Sequence, residues 1–228
     1  MSIDEIEKIN RSRINTSTIA DILDSLGVES LVPPSVQPLN QTEHYFAGIA
    51  YTVAWERVRK SGDIFESQPS TWEQVRRFLI PDVSDGTGLV YVAGAGPLLV
   101  DAALAGAMSC TYFSRLGFAG VVLGGAVRDI PELRKLPLPI LATNPIPVDT
   151  QGAYRIRSTG EDCMIGNCSV KTGDLVVSDL SGTVVVPANL IATVIDKAFE
   201  IDELERSMLS MIREGANLPD LVQYRRRI

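Results

Sequence analysis

The sequence contains one histidine and three cysteines in 228 residues, and this shortage excludes several kinds of catalytic site. His44 stands in a polar stretch, so neither a histidine-dependent triad nor a histidine-rich metal site is expected. Cys110, Cys163 and Cys168 are odd in number and lack the paired spacing of a zinc site, which predicts reduced thiols in a cytoplasmic protein. Any metal bound by this chain would therefore need oxygen ligands.

Long hydrophobic runs and clustered basic residues are also missing. No apolar run reaches about 18 residues, and the first ten residues are too acidic and polar for a signal peptide, so no membrane association is expected. The formal net charge of -7 argues against nucleic-acid binding, because phosphate contacts need clustered Lys and Arg. The basic run YRRRI at 224–228 is interpreted as a solvated tail, and a binding patch is the less favoured alternative.

What the chain does contain is a regular alternation of helical and strand-like segments. With 45% hydrophobic and 21% charged residues, it has the composition of a globular protein with a substantial core. An apolar stripe predicts a helix over 17–27, and a β-branched, aromatic run predicts a strand over 47–55. Further along, we predict a strand, a helix and two more strands over 88–96, 106–117, 119–125 and 138–143. This order with short joins is typical of a βαβ unit with a parallel sheet.

The pattern changes after residue 144. Short strands separated by glycine-containing turns predict a compact β region, and a long amphipathic helix is expected over about 189–214. No linker or low-complexity tract interrupts the chain. We therefore predict a single α/β domain over 1–228, with the β region folded onto the βαβ core.

The hexapeptide GGAVRD at 124–129 follows the second strand of the predicted βαβ unit. Ligands of parallel α/β sheets collect beyond the carboxyl ends of the strands. Arg128 can bind a carboxylate through two N–H groups, and Asp129 can ligate a hard cation such as magnesium. The alternative is that Asp129 caps the next helix and Arg128 lies in solvent. The residues alone leave both interpretations open.

Three other segments are weaker candidates for a site. GAG at 94–96 follows a strand, but Leu99 takes the place of the third glycine of a dinucleotide fingerprint, so a tight turn is favoured. The helix predicted to begin near Gly106 would present free N–H groups to an anion, which is weak evidence on its own. The acids of EIDELER at 200–206 are interpreted by default as a solvated helix face.

Taken in order, these motifs resemble the RraA-like family, which includes regulator of ribonuclease activity A and the 4-hydroxy-4-methyl-2-oxoglutarate aldolases. The resemblance covers about 17–216. It is carried by FAGIAYTV, ALAGAM, RLGFAGVVL, GGAVRD, LPLPILAT and VKTGDLVVSDLSGTVVVP. It implies a swivelling β/β/α-type domain in a homotrimer or homohexamer with active sites at subunit interfaces. It also implies the chemistry of class II pyruvate aldolases, lyases that depend on Mg²⁺ or Mn²⁺ and also decarboxylate oxaloacetate.

Residue roles follow from the same resemblance. Arg128 would bind the small 2-oxo acid, and Asp129 would hold the cation. The substrate carboxylate would rest on the backbone N–H groups of Met108 and Ser109, which follow Gly106. A metal-site acid would come from the C-terminal helix of a neighbouring subunit. Glu205 is the nearest match, with Glu200 and Glu203 as alternatives.

One position departs from the family pattern. Where the aldolases read G-[DE]-L-L, this chain reads Gly106-Ala107-Met108-Ser109, so the acid that normally holds metal-bound water is absent. Three hypotheses follow. The chain is a carbon–carbon lyase on a 2-oxo acid, a non-enzymatic regulator that binds a ribonuclease partner, or a diverged enzyme in which Ala107 makes room for another substrate.

Overall fold

The computed structural model describes residues 1–41, 43–58 and 71–225, so the last three residues of the basic tail lie outside the described part. The helices are α1 (Ile3–Ser12), α2 (Thr16–Ser25), α3 (Thr71–Phe78), α4 (Ala107–Leu116), α5 (Ile130–Leu133), α6 (Ile191–Arg213) and α7 (Leu218–Arg225). The strands are β1 (Gln37–Pro38), β2 (Phe46–Arg57), β3 (Leu89–Gly94), β4 (Leu99–Ala105), β5 (Gly120–Leu123), β6 (Gly125–Val127), β7 (Ile140–Ala142), β8 (Tyr154–Thr159), β9 (Asp162–Ile165), β10 (Cys168–Lys171), β11 (Leu175–Asp179) and β12 (Gly182–Val186).

The main sheet has eight strands in the order β1-β7-β5-β3-β2-β11-β12, and β8 pairs with the end of β2. Strands β2, β3, β5 and β7 run parallel to one another, and α4 lies between β3 and β5 in the chain, which confirms the predicted βαβ unit. Strands β11 and β12 extend this sheet in the antiparallel direction. The later β region therefore contributes to the main sheet as well as packing onto it.

The two faces of the sheet are covered by different layers. Along β2, alternate side chains such as Ala47 and Val53 belong to the apolar clusters that include residues of α2, α4 and α6. The intervening side chains, such as Ala50, pack against the hairpin formed by β9 and β10 through Cys163 and Ile165. Because successive residues of a strand point to opposite faces, the layers are hairpin, sheet and helices. This is the β/β/α arrangement expected for the chain.

Helix α4 is fixed to the sheet by aromatic packing. Phe113 is fully buried and stacks on Tyr91 of β3 with 4.3 Å between ring centroids. Phe118 meets Phe113 edge-on at 5.6 Å. Glycines bound the helix as the sequence predicted: Gly106 is the N-cap, and Gly117 ends the helix in the left-handed conformation with φ 85°. The first turn of α4 is thereby held at a defined place above the sheet.

The rare reactive side chains are buried away from solvent. Cys110, Cys163 and Cys168 are free thiols, as predicted, and burial raises the pKa of each to about 12. His44 is 7% exposed, and its Nε2 lies 2.9 Å from Ser178 Oγ. Burial lowers the pKa of His44, so the side chain is held neutral in the core. Within the described ranges, no helix is long and apolar enough to cross a membrane.

Candidate functional site

A second, two-stranded sheet brings the hexapeptide GGAVRD to the start of α4. Strands β4 and β6 are parallel, with Ala105 opposite Val127. The N–H of Arg128 donates to the carbonyl of Ala105 at 3.1 Å. Since parallel strands end at the same edge, the residues after β6 meet the residues after β4, which are Gly106 and the first turn of α4.

Gly106 allows these two segments to approach closely. A Cβ at this position would lie 2.7 Å from Asp129 Oδ2 and 2.9 Å from Arg128 Cγ, distances that real Cβ atoms do not show. Ser109 Oγ accepts the N–H of Gly106 at 3.1 Å and lies 3.0 Å from its carbonyl oxygen, which closes the first turn. The glycine is therefore required by the contact with Arg128 and Asp129, and the buried Ser109 side chain is used structurally.

Asp129 has an unusual backbone conformation and an unexpected partner. Its φ of 63° lies in the left-handed region, which is uncommon for a residue other than glycine. It occupies the N-cap position of α5, yet its side chain makes no capping hydrogen bond there. Instead, Oδ2 accepts the N–H of Ala107 at 3.0 Å. The alternative that Asp129 serves to cap the next helix is therefore wrong, because its carboxylate sits at the positive end of α4.

Arg128 does not lie free in solvent, contrary to the same alternative. Its Nη1 lies 3.0 Å from Asp149 Oδ2, and its Nε lies 3.8 Å from Asp129 Oδ2. Its side chain is 42% exposed, so the guanidinium is held between two carboxylates and still open to a ligand. Asp149 is fixed in turn, because its Oδ1 accepts the N–H of Thr150 at 2.6 Å and the hydroxyl of Thr150 at 3.1 Å.

A cleft of about 450 Å³ opens beside these charges. It is lined by Arg128, Asp129, Ile130, Pro145, Ile146 and Pro147. The segment that carries the two prolines is hydrogen-bonded to β6. The N–H of Val127 donates to Asn144 O at 3.0 Å, and the N–H of Ile146 donates to Val127 O at 2.8 Å. A cleft of this size is typical of a small-molecule site.

The structure brings together most of the predicted site residues. Gly106, Arg128 and Asp129 are in contact, and Met108 and Ser109 lie in the adjoining first turn of α4. Helix geometry leaves the first N–H groups without a carbonyl inside the helix, so they remain suitable for an anion. The Met108 side chain is 90% exposed and takes no part in the core.

Glu205 is not among the residues that line the cleft of the same chain. It is on α6, where Thr18 Oγ1 of α2 is 3.5 Å from its Oε2. Among the described residues, no group of three His, Cys, Asp or Glu side chains is placed to hold a metal ion. Asp129 nevertheless offers a partly exposed carboxylate in the cleft, the donor type that Mg²⁺ and Mn²⁺ prefer. The donor chemistry fits such a cation, with one ligand supplied by this part of the chain.

Sequence reasoning missed Asp149. It lies 20 residues beyond Asp129, at the end of the segment NPIPVD that follows β7. Its position after a strand of the parallel sheet was the available signal. No short motif links it to Arg128, because the contact depends on how this segment runs beside β4. The carbonyl of Val148 accepts the N–H of Ala103 at 2.8 Å and fixes that course.

The sequence of the chain is similar to those of several known proteins. A family model described as RraA-like, Aldolase/RraA, matches residues 16–185. Protein DlpA of Legionella pneumophila is 27% identical over 206 residues, 90% of this chain but 31% of that protein. A Halalkalibacterium halodurans protein with the provisional name 4-hydroxy-4-methyl-2-oxoglutarate aldolase is 29% identical, over 87% of this chain and 85% of its own length.

A solved structure is also similar. Streptomyces coelicolor RraAS2, described as an unusual member of the RNase ES inhibitor RraA protein family, superimposes with a TM-score of 0.74 at 26% identity. The alignment covers 91% of this chain and 96% of that one. The fold is thus shared with a protein named for ribonuclease inhibition, and the sequence is similar to a protein with a provisional aldolase name.

Proposed function

The chain belongs to the RraA-like family, and from that premise we propose that it is a divalent-metal-dependent carbon–carbon lyase acting on a small 2-oxo acid. The reaction class is aldol cleavage of a 4-hydroxy-2-oxo acid to pyruvate, oxaloacetate decarboxylation, or both. The observation that supports this most directly is the meeting of Arg128 and Asp129 with the first turn of α4 beside an open cleft. Relatives carrying a provisional aldolase name support the lyase class.

The chain's own groups have separate roles in this proposal. Arg128 binds the oxo-acid end of the substrate, because a guanidinium presents paired N–H donors to oxygen anions. The first-turn N–H groups of Met108 and Ser109 receive the carboxylate at the positive end of α4. Both features stabilise negative charge that spreads onto the oxo oxygen as the carbon–carbon bond breaks.

Asp129 is the proposed ligand for Mg²⁺ or Mn²⁺. When bound, such a cation supplies Lewis-acid stabilisation of the enolate charge. The proposal includes a homotrimer or homohexamer, in which Glu205 from a second copy of the chain reaches the cleft. The proposal assigns that role to a second copy because Glu205 is not among the residues that line the cleft of its own chain.

The direct test is pyruvate release by the purified full chain. We expect turnover of oxaloacetate or of a 4-hydroxy-2-oxo acid in the presence of Mg²⁺ or Mn²⁺, followed by reduction of the released pyruvate in a coupled assay. Excess chelator should abolish the turnover. Activity that survives chelation, or no pyruvate from any substrate of this class, would contradict the proposal.

Asp149 is expected to position Arg128. In Asp149→Asn the hydrogen bonds to Thr150 can persist, but the negative partner of the guanidinium is lost. We expect KM for the 2-oxo acid to rise about 5- to 10-fold with a smaller change in kcat, since a charged hydrogen bond contributes about 1.5 kcal/mol or more. Asp149→Glu should recover part of the loss. An unchanged KM in Asp149→Asn would show that Arg128 does not depend on this contact.

Ala107→Asp tests the departure from the family pattern. The new carboxylate would stand in the first turn of α4, next to the Asp129 carboxylate that accepts the Ala107 N–H. Two acids there should bind Mg²⁺ more tightly, by about 10-fold in the dissociation constant measured by calorimetry, and should raise pyruvate aldolase activity.

Thr111→Asp is the matched control, because it adds the same charge on the exposed face one turn later. It should leave Mg²⁺ affinity unchanged. Equal gains in both variants would mean that any added negative charge on α4 raises the Mg²⁺ affinity, whatever its position.

A regulatory role is the second candidate, favoured by the similarity to the RNase inhibitor family member from Streptomyces coelicolor. In that case the chain would bind a ribonuclease partner through an acidic surface, consistent with its net charge of -7. Binding should then be indifferent to Asp129→Ala. A complex that is detected by calorimetry and persists in this variant would support regulation. Undetectable binding would contradict the regulatory role and leave the lyase as the remaining candidate.

A further inference from the structure

The cleft beside Arg128 has two chemically different walls. One wall carries the guanidinium of Arg128 and the carboxylate of Asp129. The other lining residues all carry apolar side chains and are called the second wall: Ile130, Pro145, Ile146 and Pro147. Prolines have no N–H, and the N–H of Ile146 is already bonded to Val127 O at 2.8 Å. The second wall therefore offers methyl and methylene groups and few hydrogen-bond donors.

The positive charge available to a ligand is also limited. Among the described residues that line the cleft, Arg128 is the one cation. Part of the guanidinium charge is already balanced, since Nη1 lies 3.0 Å from Asp149 Oδ2 and Nε lies 3.8 Å from Asp129 Oδ2. Ala107 adds a methyl group at the start of α4, and no charge. Once Arg128 and the proposed cation hold the oxo-acid end of a substrate, no second cationic side chain of the described lining is left for another carboxylate.

A second carboxylate would meet an unsuitable surface. With the oxo-acid end of a substrate at Arg128 and the first turn of α4, the lining residues left for its other end are those of the second wall, among them Ile146 and the two prolines. An ionised carboxylate there loses hydration without gaining a donor, which is strongly unfavourable. An alkyl group in the same place gains free energy by leaving water.

We propose that the substrate is a monocarboxylic 4-hydroxy-2-oxo acid whose C4 carries an apolar substituent, seated against Pro145, Ile146 and Pro147. The inference rests on the proposed lyase function and specifies its substrate class. In the reaction the C3–C4 bond breaks and the C4 hydroxyl loses its proton as that carbon becomes an aldehyde. The electron pair left on C3 takes up a proton, which gives pyruvate. The products are pyruvate and an apolar aldehyde, and no oxidant or reductant is consumed.

The apolar wall is built rigidly enough to select a substituent. Pro145 forms a bridge with Val127 of β6, and the Ile146 hydrogen bond holds the next residue to the same strand. Two prolines two residues apart restrict the backbone between them. A preorganised wall costs little ordering entropy when a ligand binds, so the discrimination between alkyl and carboxylate groups is retained.

A matched pair of substrates tests the inference. 4-Hydroxy-5-methyl-2-oxohexanoate and 4-hydroxy-2-oxoglutarate differ in carrying an isopropyl group or a carboxylate of similar size on C4. Pyruvate release is measured for both with the purified full chain and Mg²⁺. We expect kcat/KM for the isopropyl substrate to be about 10-fold higher or more, because pocket contacts of this kind are worth about 1–3 kcal/mol. Preference for the diacid would overturn the inference and leave the lyase proposal standing. Cleavage of neither substrate would overturn the inference, and the lyase proposal would fall with it if oxaloacetate also yields no pyruvate.

Ile146→Lys should reverse the preference by placing a cation in the apolar wall. We expect the ratio of the two kcat/KM values to shift toward the diacid by about 10-fold or more. Val148→Lys is the control, since Val148 is exposed and does not line the cleft, and its ratio should stay unchanged. If Ile146→Lys fails to fold, Pro147→Lys places the charge in the same wall. An unchanged ratio in a folded cleft variant, or an equal shift in Val148→Lys, would refute the assignment of this wall.

Binding provides a measurement that does not depend on turnover. 5-Methyl-2-oxohexanoate and 2-oxoglutarate lack the 4-hydroxyl group and cannot undergo the cleavage. Calorimetry should show about 10-fold tighter binding of the first by the wild-type chain, and a reversal in Ile146→Lys. Equal or weaker binding of the first would contradict the inference even if the enzyme is active.

Discussion

Replacing Arg128 by alanine is expected to lower kcat/KM for pyruvate release by about 100-fold or more. The guanidinium is the one cation among the described residues that line the cleft, and it faces the space beside the first turn of α4. Loss of a charged hydrogen bond that strengthens as negative charge develops costs about 2–3 kcal/mol, which corresponds to about this factor in rate. Steady-state kinetics with a coupled pyruvate assay measures the change.

Two further variants define the role of this side chain. Arg128→Lys keeps the charge but not the paired N–H donors, so we expect a smaller loss of about 10-fold. Arg134→Ala removes the same side chain at an exposed position at the end of α5, and activity should be unaffected. Because Arg128 is 42% exposed, its removal should change thermal stability little. Full activity in Arg128→Ala would place the substrate site elsewhere in the protein.

Phe113→Ala is expected to have the largest effect on stability, a loss of about 3–5 kcal/mol in the free energy of unfolding. The side chain is fully buried, stacks on Tyr91 at 4.3 Å and meets Phe118 at 5.6 Å, all measured between ring centroids. Alanine would leave a cavity lined by rings that cannot move together without disturbing β3. Urea unfolding at fixed protein concentration, followed by circular dichroism, measures the change.

Tyr112→Ala is the matched control for this substitution. Tyr112 is the preceding residue of α4, is only partly buried, and has the Arg115 guanidinium over its ring at 5.4 Å. We expect it to lose less than half as much stability as Phe113→Ala. Similar losses in both variants would mean that α4 is held by its outer face as strongly as by the aromatic stack, contrary to the packing described.

The sequence was sufficient for the framework of the site. Helix α4 was expected over 106–117 and is found at Ala107–Leu116, because glycine at each end marks a helix boundary clearly. The parallel order of β3 and β5 was likewise predictable from short joins and apolar runs. These features place GGAVRD after a strand of the parallel sheet, but the residues alone leave the roles of Arg128 and Asp129 open, and the resemblance to the RraA-like family supplies them.

The remaining parts depend on long-range geometry that local pattern does not encode. The sheet of β4 and β6 has register shifts between Leu99 and Ala103 and again between Ala103 and Ala105, so its strands show no regular alternation. The contact of Asp149 with Arg128 arises only after NPIPV is laid along β6. The left-handed backbone of Asp129 is also invisible in the sequence, since aspartate adopts it only where neighbouring structure imposes it.

That backbone conformation has a consequence for how this protein can diverge. At a φ of 63°, glycine and asparagine are accommodated with little strain, whereas β-branched residues are not. Asp129 can therefore be exchanged most easily for the two residues that remove its negative charge and leave the fold intact. Codons for both differ from those of aspartate by one base. A lineage that no longer needs the carboxylate has a short mutational route to a protein of the same architecture without the proposed metal ligand, and the conformation at a single residue makes that route accessible.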